Sequence, residues 1–81
     1  MKETRQNSKC FVEYRPEEKE IFARDLTDHY NDPAMFTKTK RGIRNAWAAI
    51  VLTWNDDMTM HDIINILGEY KIRTHYWCMV D

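Results

Sequence analysis

The chain is poor in the residues from which small catalytic sites are usually built. Its 81 residues include two glycines, two prolines, two cysteines and a single serine, Ser8. Residues 37–42 form neither a Walker loop nor a dinucleotide fingerprint, and two glycines leave little means of shaping a substrate cleft. Neither Cys10 nor Cys78 has a histidine at the spacing of a recognised nucleophilic pair. The sequence therefore predicts that the protein is not an enzyme.

Long apolar runs are absent as well. The longest run covers residues 46–52, far short of the roughly 20 residues that span a bilayer. Residues 2–9 are polar or charged, and no apolar segment follows them as a secretory signal would require. We therefore expect a cytoplasmic protein with no membrane partner.

The two cysteines are expected to remain unbonded in such a reducing compartment, and a disulfide is possible only if the two ends of the chain meet. Metal ligation would draw on Cys10, His29, His61, His75 and Cys78. No two of them have the spacing of a zinc ribbon or finger, and His75 and Cys78 would lie on opposite faces of a strand. The sequence predicts no metal and no cofactor.

Apolar and charged residues are abundant and are arranged in blocks. The chain is 43% hydrophobic and 31% charged, which is typical of a globular protein, and its length suits one compact domain over residues 1–81, with residues 1–8 flexible. The net charge of −1 hides a strong alternation. Residues 13–32 hold seven acidic and three basic side chains, whereas residues 38–44 hold four basic ones and no acidic one. This pattern predicts a polarised surface.

The first half of the chain predicts a strand followed by a helix. Residues 9–15 are rich in β-forming side chains that alternate between apolar and polar. Pro16 would then occupy the first position of a helix over residues 16–30, where acidic residues complement the helix N-terminus. On a helical wheel this segment has one apolar and one acidic face, with Ile21 as the exception.

Two further helices are predicted in the second half. The helix over residues 39–54 rests on a stripe of apolar residues at helical spacing: Ile43, Trp47, Ile50 and Trp54. The helix over residues 59–68 would begin at a capping box formed by Thr59 and Asp62, and Gly68 would supply its left-handed stop. We expect the apolar stripe to be buried as the core of the domain.

The end of the chain predicts a second strand. Residues 70–80 alternate in polarity and are dense in aromatic and branched side chains. A lone strand is unstable, so we expect it to pair with residues 9–15 and bring the termini together. The predicted fold class is α+β: a small, mainly helical domain with three helices and two short strands.

The acidic face of the first predicted helix supports a protein-binding role. Its members, Glu17, Glu18, Asp25 and Asp28, would steer the chain towards a larger partner, and exposed Trp and Met side chains would anchor it. On this favoured hypothesis the chain is a small regulator or inhibitor of a larger protein or protein–nucleic acid complex. If this surface were complementary to itself, the partner would be a second copy of the chain and the complex a homodimer.

The basic residues support a nucleic-acid-binding alternative. A cluster stands at the start of the second predicted helix: Lys38, Lys40, Arg41 and Arg44. Basic side chains are unfavourable at a helix N-terminus, so an anion is expected there: a phosphate, a partner's carboxylate or the chain's own acidic helix. Lys71, Arg73 and Trp77, on one face of the last predicted strand, would add phosphate contacts and base stacking. The structural alternatives are that the basic cluster is solvated or is neutralised by the acidic residues of the first helix, and that Lys71 and Arg73 protect a strand edge from association.

Overall fold

The computed structural model describes residues 2–27, 33–39 and 41–78, with the backbone alone for 76–78. Its elements are β1 (Glu3–Gln6), β2 (Cys10–Arg15), β3 (Glu20–Asp25), β4 (Pro33–Lys38), α1 (Ile43–Thr53), α2 (Met60–Glu69) and β5 (His75–Cys78). The strands form one antiparallel sheet in the order β1-β2-β3-β4-β5. The predicted α+β class is confirmed. The mainly helical arrangement with three helices is wrong, because strands outnumber helices among the described residues.

The first predicted helix, residues 16–30, is replaced over its described part by a turn and β3. Residues 16–19 form the turn, in which the Lys19 N–H donates to the Pro16 carbonyl oxygen at 3.2 Å. A proline followed by polar residues fits either a helix start or a turn. The strand prevails because β2 needs a hydrogen-bonded neighbour, and because Ile21, the exception on the helical wheel, is fully buried when it faces the helices from β3.

The predicted pairing of residues 9–15 with the C-terminal strand is also wrong. Both edges of β2 are occupied by its neighbours in sequence, β1 and β3, and β5 pairs with β4 at the far edge of the sheet. Short hairpin loops cost less entropy to close than a connection of some 60 residues. The polar residues 1–8, for which no regular element was expected, contribute β1.

The two later helices are confirmed with shifted boundaries. Helix α1 begins at Ile43 because Gly42, the residue before it, has a φ of 82°, a left-handed conformation that favours glycine. Helix α2 begins with the predicted capping box. The Thr59 hydroxyl accepts from the Asp62 N–H, and the Asp62 carboxylate accepts from the Thr59 N–H at 3.0 Å.

The end of α2 differs from the prediction. Lys71, with a φ of 58°, occupies the left-handed position, whereas Gly68 lies within the helix. The Ile72 N–H donates to the Leu67 carbonyl oxygen at 3.1 Å and the Lys71 N–H to that of Gly68 at 2.9 Å, which is the Schellman pattern. Strand β5 therefore begins only at His75, and Lys71 is not part of it.

Both helices pack on one face of the sheet and enclose a core of aliphatic and methionine side chains with two aromatic ones, Tyr14 and Trp47. The predicted stripe lies in this core, with Ile43, Trp47 and Ile50 buried and Trp54 half-buried against it. The Trp47 ring stacks on Tyr14 of β2 with centroids 5.5 Å apart. In the described part of the chain, neither helix has the length and apolar character that crossing a membrane demands.

Candidate functional site

The face of the sheet opposite the helices has no helix over it among the described residues. Side chains alternate along each strand, so the register assigns its members. We call this surface the open face. Its members with described side chains include Phe11, Glu13, Arg15, Glu20, Phe22, Arg24, Ala34, Phe36, Lys38 and His75. The backbone of Trp77 lies opposite Ala34, which is an open-face position of β5.

All three phenylalanines of the chain lie on the open face, and none belongs to the core. Phe11, Phe22 and Phe36 are each half-buried. The Phe11 and Phe22 rings meet edge to face with centroids 6.5 Å apart, and Phe36 lies 5.6 Å from the ring of His75. The uncovered face of an antiparallel sheet is usually polar. A row of rings across four strands is therefore the kind of apolar surface that binds a partner or a ligand.

Arg15 pairs with two acidic residues at one end of the open face. Arg15 donates to the carboxylates of Glu13 and Glu20, the second at 2.6 Å, and its guanidinium lies 5.8 Å from the centroid of Phe22. The hydrogen bonds to Glu13 and Glu20 raise the pKa of Arg15. Both acids are thus paired within the face, and Glu13 is buried. One guanidinium balances only one of the two carboxylates, so these three side chains together keep one negative charge.

A set of cations lies at one end of the sheet, where β4 ends and α1 and β5 begin. We call this set the basic end, and it consists of Lys19, Lys38, Arg41, Arg44, Lys71 and Arg73. The turn that holds Lys19 is tied to the end of β4, since the Thr39 N–H donates to the Lys19 carbonyl oxygen at 3.2 Å. The buried Thr37 hydroxyl donates to the carbonyl oxygen of Arg73. These contacts bring together cations from two distant parts of the sequence. The first group is Lys38, Arg41 and Arg44, and the second is Lys71 and Arg73.

Within the described part of the chain, no salt bridge engages any member of the basic end. Glu17 and Glu18 lie exposed in the turn beside Lys19, yet neither pairs with these cations. The first turn of α1 contains Arg44, has no acidic residue and has no side-chain cap. Among the described residues, the chain's own acids therefore do not neutralise these cations, and the acidic helix expected from the sequence is replaced there by a turn and β3. Lys40 lies outside the described residues.

The four acids predicted to form one partner-binding face do not lie together. Glu17 and Glu18 are in the turn between β2 and β3, and Asp25 is at the opposite end of β3. Asp28 lies outside the described residues. The common face assumed a helical repeat of 3.6 residues, whereas the segment has the two-residue repeat of a strand. Trp47, Met35, Met58 and Met60 are buried in the core, so they are not among the exposed Trp and Met side chains that could anchor a partner.

Three acidic residues lie near the start of β2, away from the basic end; we call this set, Asp25, Asp57 and Asp62, the acidic end. Asp25 lies opposite Cys10 in the β2–β3 register, and Asp57 pairs with Lys9 at 3.6 Å. The charges of Asp25 and Asp62 both act on Cys10, after the larger effect of burial, and together these effects raise the pKa of its thiol to about 11. Glu17, Glu18 and Glu20 remain beside the basic end, so the charge blocks of the sequence are only partly separated in the structure.

The two cysteines do not lie close enough for a disulfide. Cys10 is in β2 and Cys78 in β5, with β3 and β4 between them. Three strand spacings amount to about 14 Å, whereas bonded cysteines have Cα atoms roughly 4.4–6.8 Å apart. Among the described residues there is also no group of three or more histidine, cysteine or acidic side chains that could hold a metal ion.

The sequence-based reasoning missed Lys19 and the three phenylalanines. The missing signal was the alternation Ile21, Phe22, Ala23, Arg24, which places two apolar residues on the core side and a ring with a cation on the other. Lys19 was hidden because it was assigned to a helix rather than to a turn. Lys71 and Arg73 do join the basic cluster, but through a turn and an irregular segment rather than along a strand face.

Comparison of the chain with protein-family models, with curated proteins and with solved structures finds no match. Its candidate sites are therefore argued from its own residues.

Proposed function

We propose that the chain is a non-catalytic protein that binds single-stranded nucleic acid, with bases on the open face and the sugar–phosphate backbone along the basic end. The observation that carries the proposal is that the two surfaces are continuous. Lys38 belongs to both, since it lies on the open face opposite Glu20 and ends β4 beside the start of α1. Stacked rings with adjacent cations are the combination that single strands require.

Charge and shape both favour this ligand. The six cations of the basic end have no salt bridge in the described structure, so phosphates would not have to displace an internal partner. The acidic end lies away from this surface, and a net charge of −1 is therefore compatible with a local positive potential. Phenylalanine rings on a sheet can stack on splayed bases, whereas bases inside a duplex are not accessible to them.

The test is binding of a fluorescein-labelled 15-nucleotide single strand, followed by anisotropy as a function of salt. We expect a linear dependence of log K on log salt, which Arg41→Ala should make shallower by about 0.7, the contribution of one phosphate contact. Phe36→Leu keeps an apolar side chain but removes the ring. It should lower the affinity by roughly 5- to 100-fold, because one base loses its stacking partner.

Lys9→Ala is the matched control, because it removes one positive charge at the acidic end. It should leave the salt slope unchanged, and the duplex of the same sequence should bind more weakly than the single strand. The proposal fails if Lys9→Ala and Arg41→Ala have the same effect, or if Phe36→Leu binds as well as the wild type.

A regulator or inhibitor that binds a larger protein stays a prediction, as do the homodimer and the cytoplasmic location. The acidic residues on which that role was based are divided between two ends of the molecule. A protein-binding role therefore requires a contact surface other than the predicted acidic helix.

A further inference from the structure

A groove of about 820 Å³ lies between α1 and the edge of the sheet formed by β1 and β2. Its floor is apolar, since Tyr14 and Trp47 stack there with centroids 5.5 Å apart. The indole N–H of Trp47 donates to the Glu3 carboxylate of β1, so the only polar atom of that ring is already satisfied. Neither the open face nor its phenylalanines contribute to this groove.

The wall of the groove is an uncovered side of α1. Leu52 is 85% exposed, and Ala48, one turn earlier, is exposed as well. Val51 is half-buried between this wall and the core. A leucine in full contact with water beside an apolar concavity contributes nothing to folding, whereas burying it against a partner would be favourable by about 1.5–3 kcal/mol.

Two cations stand at one end of the groove. Lys19 and Arg44 both line it, both are exposed, and neither has a salt bridge in the described structure. An occupant that placed apolar groups on the floor and a carboxylate at this end would match the groove in both respects. A nucleic acid would not, since it has no aliphatic groups for the Leu52 wall.

The shape of the groove favours a chain segment over a small molecule. Small ligands bind in cavities that bury most of their surface, and this groove is open along its length. Strand β1 forms an edge of the sheet, and no described strand lies along the backbone groups on its outer side. Such an edge can pair with an extended segment of another protein.

We propose that the groove between α1 and β1 binds an extended segment of another protein, in which large apolar side chains are followed by acidic residues. The apolar side chains contact Tyr14, Trp47 and Leu52, and the acidic residues pair with Lys19 and Arg44. The groove shares no residue with the open face, although Lys19 and Arg44 also belong to the basic end, and the proposal does not depend on nucleic-acid binding.

The test uses a phage-displayed library of 12-residue peptides selected on the full chain, followed by titration of the enriched peptides as synthetic, fluorescent probes. We expect enriched sequences to combine leucine, isoleucine or aromatic residues with aspartate or glutamate. Leu52→Ser should weaken their binding by at least about tenfold, as expected for a central apolar contact. Leu52 is exposed, so this substitution leaves the core intact.

Tyr70→Ser is the matched control, since Tyr70 is 42% exposed and does not line the groove; it should leave peptide affinity within about twofold. Arg44→Glu should abolish the preference for acidic peptides.

Three outcomes would overturn the proposal. They are enriched peptides without acidic residues, no enrichment over the naive library, and equal effects of Leu52→Ser and Tyr70→Ser on peptide affinity. Self-association in ultracentrifugation that Leu52→Ser removes would assign the groove to a second copy and would also overturn it. Leu52→Ser should not alter oligonucleotide binding, which separates the two proposals.

Discussion

The covered face and the open face of the sheet are built from the same strands but from different apolar residues. The covered face presents Val12, Ile21, Ala23 and Met35 to the helices, and all four are fully buried. The open face instead carries the phenylalanines, half-buried and interleaved with charges. Small and branched side chains interdigitate well with a helical layer. Rings left partly in water add less to folding, so their concentration on one face is better explained by binding.

Core truncation should show the largest difference between the two faces. Ile50 of α1 is fully buried against the covered face, and Ile50→Ala should lower the free energy of unfolding by about 2–5 kcal/mol. Phe36→Ala on the open face should cost about 1–2 kcal/mol, because the ring is only half-buried. Urea denaturation monitored by tryptophan fluorescence measures both.

Ile50→Val provides a milder variant if Ile50→Ala does not fold, and it should cost about 0.5–1.5 kcal/mol. Equal losses for Ile50→Ala and Phe36→Ala would mean that the open face is a second core. The distinction between the faces would then be lost.

Asn7 should be the next most sensitive position, because it joins the helical layer to the sheet. Its side-chain oxygen accepts from the N–H groups of Lys9 and Cys10, both at 2.8 Å, and its amide nitrogen donates to the carbonyl oxygens of Asn55 and Met58 at 2.9 and 3.0 Å. Asn7→Ala should cost about 1–3 kcal/mol, since partly buried backbone groups lose their partners.

Asn45→Ala is its control. Asn45 is exposed on α1, and the same change there should stay within about 0.5 kcal/mol. A loss at Asn45 as large as that at Asn7 would contradict the role of Asn7 in attaching the helical layer. Thermal unfolding followed by circular dichroism reports both.

The last expected effect concerns pH and the covered face. Burial, with the charges of Asp25 and Asp62, raises the pKa of Cys10 from 9.0 to about 11. Between these values the unfolded chain loses the thiol proton while the folded chain keeps it, so stability should fall as pH rises from 9 to 11, by roughly 1–3 kcal/mol. Below pH 9 this contribution is constant.

Cys10→Ala provides the reference, because lysine and tyrosine titrations are common to both proteins. The difference in unfolding free energy between wild type and Cys10→Ala should narrow over pH 9–11 in urea titrations. A difference that stays constant would show that the Cys10 thiol ionises equally in the folded and unfolded chains.

Local sequence patterns were sufficient to predict an element when the pattern depends only on residues within that element. A strand would place Ile50 on the face opposite Ile43 and Trp47, whereas a helix places all three on one side. Helix α1 was therefore predictable from their spacing. The capping box of α2 is likewise formed within a few residues of sequence. By contrast, residues 16–19 satisfy the signals for a helix start and for a turn equally well, and only the neighbouring strand decides between them.

The candidate sites were predictable in composition but not in arrangement. Lys38, Arg41 and Arg44 are adjacent in sequence, and their union with Arg73 depends on the pairing of β4 with β5. The open face required the strand register, which assigns each phenylalanine to a side. The groove beside Leu52 required the placement of α1 over the edge of the sheet.

The sequence by itself determined the charge blocks, the two helices and the strand at residues 10–15, because helical periodicity, capping and strand alternation act over a few residues. Only the tertiary structure decided that the phenylalanines lie on the open face and that the cations gather at one end. Both depend on which strands pair, and pairing is set by the competition among all segments for hydrogen-bonded neighbours and for burial under the helices.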